Sequence, residues 1–337
     1  MEKIIRIGLD TSKKVFQVHG VDDAGRCVLK EKLQRRELLK FFRKLESTLI
    51  GLEACGASHH WARELRALGH EVRLLSPSYV KRFLVRQNKN DARDAEAICE
   101  ALGRPSACFV PIKSETQQAD LMLHSIRDLL TKQRTMLINA IRGHAAEFGI
   151  VGALGTANVP GLLDKIRSSA IPALARDLIE LLAGQVELLD AKVSQIDRRL
   201  RDWFRASPEA QRLATIPGIG VVAASALAMK IPDPSVFQSG RHLAAWLGLT
   251  PRQNSTAGKS RLGKITREGD ETLRNFLVVG ATSVIRWAKP GRTSPWLLEL
   301  LKRKPRKLAA VALANKNARI AWAIMTRAET YRRPMPA

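Results

Sequence analysis

The sequence predicts an α/β unit followed by all-α structure, and three patterns carry that reading. Short β-branched runs alternate with helically spaced leucines over residues 1–110, and a long apolar stripe of helical period runs through 111–206. Helical runs separated by glycine-bearing turns fill 207–337. These three spans are the expected domains. The chain has 337 residues, enough for several domains of about 100–200 residues each. Its 45% hydrophobic content excludes general disorder.

In the first span, IIRIGLD (4–10) reads as a strand ending in an acid. VFQVHGV (15–21) alternates and is followed by the turn Asp22-Asp23-Ala24-Gly25, so these two strands form a hairpin and CVLKEKL (27–33) adds a third. Leu38, Leu39, Phe42 and Leu45 mark a helix over 35–46. STLIGLEA (47–54) is a strand that again ends in an acid, 59–68 is helical, and HEVRLLS (70–76) is a further strand before the next helix. Three strands, helix, strand, helix, strand, helix is the order of the ribonuclease H-like fold. In the second span Ile179, Leu182, Val186, Leu189, Val193, Ile196, Leu200 and Trp203 alternate spacings of three and four, which predicts a coiled-coil helix, paired in a hairpin within the chain or between protomers, with a plain helical bundle as the alternative. Leu123, Ile126, Leu130, Gln133, Leu137, Ala140 and His144 repeat the frame more weakly, and glycines 149, 152, 155 and 161 lie in the connection. The third span holds IPGIG (216–220), helices near 221–230, 241–247, 271–288 and 306–328, and a predicted loop over 250–269.

Lysine and arginine number 56 against 32 aspartates and glutamates, a formal charge of +24. Residues 1–110 carry 21 basic and 14 acidic side chains, 111–240 carry 15 and 13, and 241–337 carry 20 and 5. The excess is concentrated in the tail, as a phosphate-facing surface requires, and nucleic acid is the commonest cellular polyanion. The near-balanced middle suits a protein-facing scaffold. Four cysteines without a CxxC or Cys/His cluster argue against a disulfide framework and a structural zinc. MEKIIRIGLD is too polar for a signal peptide, and the most apolar stretch, 308–326, is interrupted by Lys316 and Arg319. The expectation is a soluble protein of a reducing compartment.

Asp10 and Glu53 each end an apolar strand, and those strands are neighbours in a ribonuclease H-like sheet. Asp91 and Asp94, three apart in NKNDARDAEAI, share one helix face. Acids from two strand ends and one helix can converge to bind a divalent metal through oxygen, the arrangement that phosphodiester chemistry uses. IGLDTS also resembles the first phosphate loop of actin-like ATPases and sugar kinases. That reading needs a second glycine-rich phosphate loop, which the sequence lacks, and leaves +24 unexplained.

IPGIG resembles a helix-hairpin-helix turn, in which amides near Gly218 and Gly220 would approach a phosphate at a helix N-terminus. In the 250–269 segment, Ser255 stands among Arg252, Lys259, Arg261, Lys264 and Arg267, cations able to hold a phosphate and stabilise an alkoxide. Ser260, Thr256 and Thr266 compete for the nucleophile's role on composition.

IGLDTSKK, GLEACGASHHW, NKNDARDAEAI, IPGIG and WLGLTPRQNSTAGKSRLGKITREGDETLR, in this order, resemble the insertion sequence 110 family of transposases. EACGASHHW and NARIAWAIMTRAETYR resemble most its 1111 subgroup. The resemblance spans residues 4–332. It implies a RuvC-like, ribonuclease H-like N-terminal domain whose Asp-Glu-Asp-Asp metal site falls on Asp10, Glu53, Asp91 and Asp94. It implies a small helical C-terminal domain with an essential serine, matched to Ser255 in a loop one residue shorter than in some relatives. It further implies Mg²⁺, or Mn²⁺, as cofactor, and a noncoding guide RNA with donor and target DNA as partners. The implied assembly is a dimer of dimers bridged by coiled coils, in the cytoplasm at the nucleoid. The rival functions are a junction-resolving or RNA-cleaving nuclease using only the four acids, and a non-catalytic nucleic-acid-binding protein.

Overall fold

Ile7 and Leu9 point to one face of their strand and are fully buried, while Gly8 between them faces the other side and is buried as well. A strand covered on both faces belongs at the centre of a sheet, and there it lies. The computed structural model describes residues 3–84, 91–105, 107, 109–254, 261–291 and 293–332. Chain contacts divide it into two compact units, Met1–Gln118 and Ala119–Ala337.

In the first unit, strands β1 (Arg6–Thr11), β2 (Val15–Val21) and β3 (Cys27–Gln34) form an antiparallel meander. Helix α1 (Leu38–Phe42) leads to β4 (Leu49–Glu53), then α2 (Ser58–Ala67), β5 (Glu71–Leu75), the short α3 (Pro77–Val80), α4 (Asp91–Leu102) and β6 (Phe109–Val110). The sheet order is β3-β2-β1-β4-β5-β6, with β1, β4 and β5 parallel and β6 antiparallel at the edge. The expected hairpin of β1 and β2, the third strand beside it and the neighbouring β1 and β4 are all present, with β6 added; two residues are too few to show a period in sequence. Helix α1 is also shorter than its predicted 35–46. One face of the sheet packs Ile7, Leu9, Ile50 and Leu52 against Leu38 and Phe42 of α1 and Trp61, Ala62 and Leu65 of α2. Phe16 meets Trp61 edge to face at 5.1 Å. The other face carries α4.

The second unit begins along α5 (Glu115–Glu147), followed by α6 (Val159–Ser168) and α7 (Ala173–Ala206). The expected stripe of α7 faces inward: Ile179, Val186, Leu189, Val193 and Leu200 are buried. Its partner is α5 of the same chain, with α6 closing the tip around Ile138, Ile141, Ala145, Leu162 and Ile166. Arg127 pairs with Asp197 at 2.6 Å, Arg134 pairs with Asp190, and Trp203 Nε1 donates to Asp120 at 3.0 Å. Partners advance on one helix as they retreat on the other, so the helices are antiparallel. On α5 the predicted frame is corrected by one residue: the buried side chains are His124, Ile138, Ile141 and Ala145, while Ile126, Gln133 and His144 are exposed. Arg127 and Arg134 occupy positions on the buried side, which breaks the apolar signal the frame was read from.

Helices α8 (Pro208–Leu213), α9 (Val221–Lys230) and α10 (Gly240–Trp246) precede strands β7 (Pro251–Gln253) and β8 (Leu262–Ile265). Helices α11 (Glu271–Arg286), α12 (Pro295–Arg303) and α13 (Arg306–Arg327) follow. Helix α13 runs through the core on a line of alanines, Ala309, Ala310, Ala314, Ala318 and Ala321, whose small side chains let neighbouring helices come close. The 250–269 segment is not wholly loop. Its ends pair as an antiparallel hairpin, Pro251 opposite Ile265 and Gln253 opposite Leu262. All but Ile265 of these strand residues are exposed, so no apolar alternation marks them. No helix among the described residues is long and apolar enough to cross a membrane.

Candidate functional site: carboxylates at the sheet end and a pinned basic hairpin

The strand ends bring the first two acids together. Leu9 is level with Leu52 on parallel β1 and β4, so Asp10 and Glu53 occupy the next step of the register. Side chains alternate along a strand, so Asp10 shares the face of Gly8, and Glu53 that of Gly51. Just beyond them Thr11 Oγ1 and Cys55 Sγ meet at 3.5 Å. Both acids are half-buried.

Helix α4 lies over this same face. A Cβ on Gly8 would run into the Ala95 carbonyl oxygen and stand 2.5 Å from Cys99 N; one on Gly51 would meet Leu102 Cδ2 at 3.0 Å. One on Gly103 would stand 2.9 Å from Arg6 Cζ. From residue 103 back to 95, the helix therefore advances from Arg6 to Gly8, and its first turn, with Asp91 and Asp94, continues toward Asp10. Asp94 is half-buried, and the side chain of Asp91 lies outside the described residues. Among the described residues no three His, Cys, Asp or Glu side chains close into a metal cluster. The donor chemistry nevertheless fits a hard divalent cation: carboxylate oxygens from two adjacent strand ends beneath a helix that two glycines let down onto the sheet.

Residues after Glu53 secure that strand end. Ser58 Oγ accepts from Cys55 N and donates to Cys55 O, both at 3.0 Å, closing the turn into α2. His59 Nδ1 accepts from Lys113 N at 3.2 Å, and burial, then Lys113 and Arg63, pushes its pKa down to about 4. His59 is thus a neutral structural acceptor, which its place in a polar HH pair does not reveal.

In the second unit, IPGIG links α8 to α9. Gly218 has φ of 90° and packs backbone to backbone on Gly280 of α11, where a Cβ would stand 2.8 Å from Gly280 O. Asn317 Nδ2 ties the turn by donating to Pro217 O at 2.9 Å. Gly220, by contrast, is exposed at the N-cap of α9 with open space around it. Gly218 therefore shapes the turn, and the amide end of α9 at Gly220 faces solvent.

The basic hairpin stands on a tightly fixed stem. Gly248 and Gly269, with φ of 67° and 70°, cross against Glu268 and Trp246 too closely for any side chain. Arg274 is buried, and its Nη1 donates to Leu247 O at 3.0 Å and Glu268 O at 2.8 Å, joining the two sides of the stem. Asp270 accepts from Leu273 N to cap α11 and receives Lys230 Nζ at 2.7 Å. Arg252, Arg261, Lys264 and Arg267 are exposed on this hairpin. Ser255, Thr256, Lys259 and Ser260 lie outside the described residues, while Thr266 is half-buried at the strand end. Sequence reasoning missed the stem; its signal was the pair of glycines flanking the basic run.

Residues 7–149 match the DEDD transposase family model, and residues 210–295 match that of the Transposase IS116/IS110/IS902 family. The chain is 54% identical to a putative transposase of Sinorhizobium fredii, over 98% of this chain and 87% of the relative. It is 37% identical to the transposase for insertion sequence element IS1328 of Yersinia enterocolitica, over 98% and 99% of the two chains.

The chain belongs to the IS110 family of transposases.

It is likewise 37% identical to the transposase for element IS1111A of Coxiella burnetii, over 98% of this chain and 92% of that one. This IS110-family transposase acts on DNA, and its DEDD domain implies use of a divalent metal.

Proposed function

We propose that this transposase is an RNA-guided DNA recombinase that cuts at a metal site of Asp10, Glu53, Asp91 and Asp94 and links the cut strand to Ser255. The reading assigns residues 1–110 to a RuvC-like catalytic domain, 111–206 to an assembly arm and 207–337 to the serine domain. The observation that carries it is the approach of α4 to the ends of β1 and β4, which the glycines at 8 and 51 permit.

The four carboxylates would hold Mg²⁺, or Mn²⁺, through oxygen. When bound, such an ion supplies polarisation of the scissile phosphate and neutralises its charge. The Ser255 hydroxyl attacks phosphorus; the Oγ–P bond forms as the P–O3′ bond breaks, and the 3′ oxygen leaves with the proton. The phosphoserine keeps the bond energy, so another 3′-hydroxyl can reverse the step and exchange strands. Arg252, Lys259, Arg261, Lys264 and Arg267 balance charge on the phosphate oxygens. The open end of α9 at Gly220, on the turn that Gly218 shapes, adds a backbone phosphate contact. Pairing with a guide RNA chooses donor and target sites, which frees the protein from reading bases.

A dimer of dimers is supported by an outward stripe on the helical arm. Leu174, Leu178, Leu181 and Leu188 of α7 follow coiled-coil spacing on its solvent side, and Leu181 is 62% exposed. Leu154 at the arm's tip is 87% exposed. A second copy would cover these residues, and each active site would draw its carboxylates and its serine from different protomers.

The test incubates the protein, coexpressed with its flanking DNA, with donor and target DNA and Mg²⁺. A detergent-resistant protein–DNA adduct is expected, absent in Ser255→Ala and Asp10→Asn, together with one copurifying structured RNA from the flank. Cleavage that persists in Ser255→Ala without any adduct would convert the reading to a carboxylate-only nuclease. Random RNA, or none, would remove the guide.

A further inference from the structure

A groove of about 1300 Å³ opens in the second unit between the N-terminus of α10, the basic hairpin, α12 and one face of α13. Six cations line it: Arg241, Lys264, Arg267, Lys307, Lys316 and Arg319. No carboxylate lines it among the described residues. Four of the six lie outside the hairpin, Arg241 on α10 and Lys307, Lys316 and Arg319 on α13. The floor is apolar, with Leu249, Val311 and Ala312. Trp296 stands at the rim, 40% exposed, with Lys316 Nζ 4.2 Å from its ring centre.

We propose that this groove binds single-stranded DNA, with the cations tracking the phosphates and Trp296 stacking an unpaired base. A row of cations on an apolar floor with an aromatic at its edge is the design of sites that hold one strand. A duplex keeps its base faces stacked on one another and has none to offer the indole. Lys316 is half-buried and crowded by Arg319, both of which disfavour its charge, so an incoming phosphate relieves the site. The occupant is DNA because Lys264 and Arg267 line the groove and belong to the basic segment that the proposed function sets against the scissile phosphate. The inference rests on the proposed function for the identity of the strand, and on the groove itself for its affinity.

Binding is measured by fluorescence anisotropy with the full-length chain, freed of nucleic acid, in EDTA, so that no cleavage contributes. The probes are a labelled mixed-sequence 20-mer as single-stranded DNA, the RNA of the same sequence, and the DNA duplex. Single-stranded DNA is expected to bind best and to quench tryptophan emission. Trp296→Ala is expected to weaken it roughly tenfold, with Trp296→Phe restoring most of the loss. Arg319→Ala is expected to lower the slope of log affinity against log salt by about one. Unchanged affinity in Trp296→Ala and Arg319→Ala overturns the proposal, as does a tenfold preference for RNA or duplex. An adduct assay run in parallel separates the two readings. Binding lost in the groove variants while the wild type forms no adduct leaves the groove standing and removes the serine mechanism; the opposite pattern removes the groove alone.

Discussion

Gly8 is set against backbone atoms of α4, the Ala95 carbonyl oxygen and Cys99 N, which no side-chain rotation can move aside. Gly8→Ala should therefore destabilise the protein by about 1–3 kcal/mol, as overpacking does, and lift α4 away from Asp10. Denaturant unfolding and metal-dependent cleavage would both report it. Gly56→Ala, whose new methyl meets nothing within 4 Å among the described residues, is the matched control and should change neither. His124 offers a pH test. Among the described residues neither ring nitrogen has a hydrogen-bond partner, and burial, then Lys230 and Arg127 against a smaller pull from Asp270, pushes its pKa down to about 4. With the folded value depressed below the ordinary 6.5, the unfolded chain takes the proton first as pH falls. Stability is thus full above about pH 6.5 and is lost progressively toward pH 4, and His59 adds to the same window. The melting temperature should drop between pH 7 and 4.5, and His124→Leu should reduce that drop; an equal drop in the variant would remove His124 as the cause.

The helical arm presents two apolar stripes with different jobs. The inner one on α7, including Leu189 and Val193, packs within the chain on α5 and α6, so charging it should unfold the arm. The outer one is solvent-facing in the single chain. The double change Leu178→Glu with Leu181→Glu should leave the circular-dichroism melt within about 0.5 kcal/mol of the parent, as surface changes do. It should lower the mass seen by light scattering, because only contacts between copies are lost. An unchanged mass would assign assembly to another surface. The period of α7 was legible in sequence because almost every inward position is apolar. The inward face of α5 is offset by one residue from its apolar frame because arginines that pair with Asp197 and Asp190 occupy that side.

For the molecule as a whole, the +24 charge and its concentration after residue 240 set how nucleic acid is held. Affinity for DNA and RNA should fall about a thousandfold or more between 50 and 200 mM salt through counterion release. A flat response would mean that phosphates are not the main contact. The cations that matter are more widely placed than the run around Ser255 suggests, since α10 and α13 bring Arg241, Lys307, Lys316 and Arg319 to the same groove as Lys264 and Arg267.

Alternation and helical period are short-range, so the linear chain already specified the succession of strands and helices in the first unit, the acids at the ends of β1 and β4, and the inner stripe of α7. The five ordered motifs likewise specified the family. Contacts across long separations were not written in any local period. They include the descent of α4 onto Gly8 and Gly51, the packing of Gly218 on Gly280, the stem that Arg274 locks, and the groove gathered from four elements. Each depends on which distant backbone comes to rest against a given residue. A glycine or arginine in sequence carries no mark of that partner until the chain has packed.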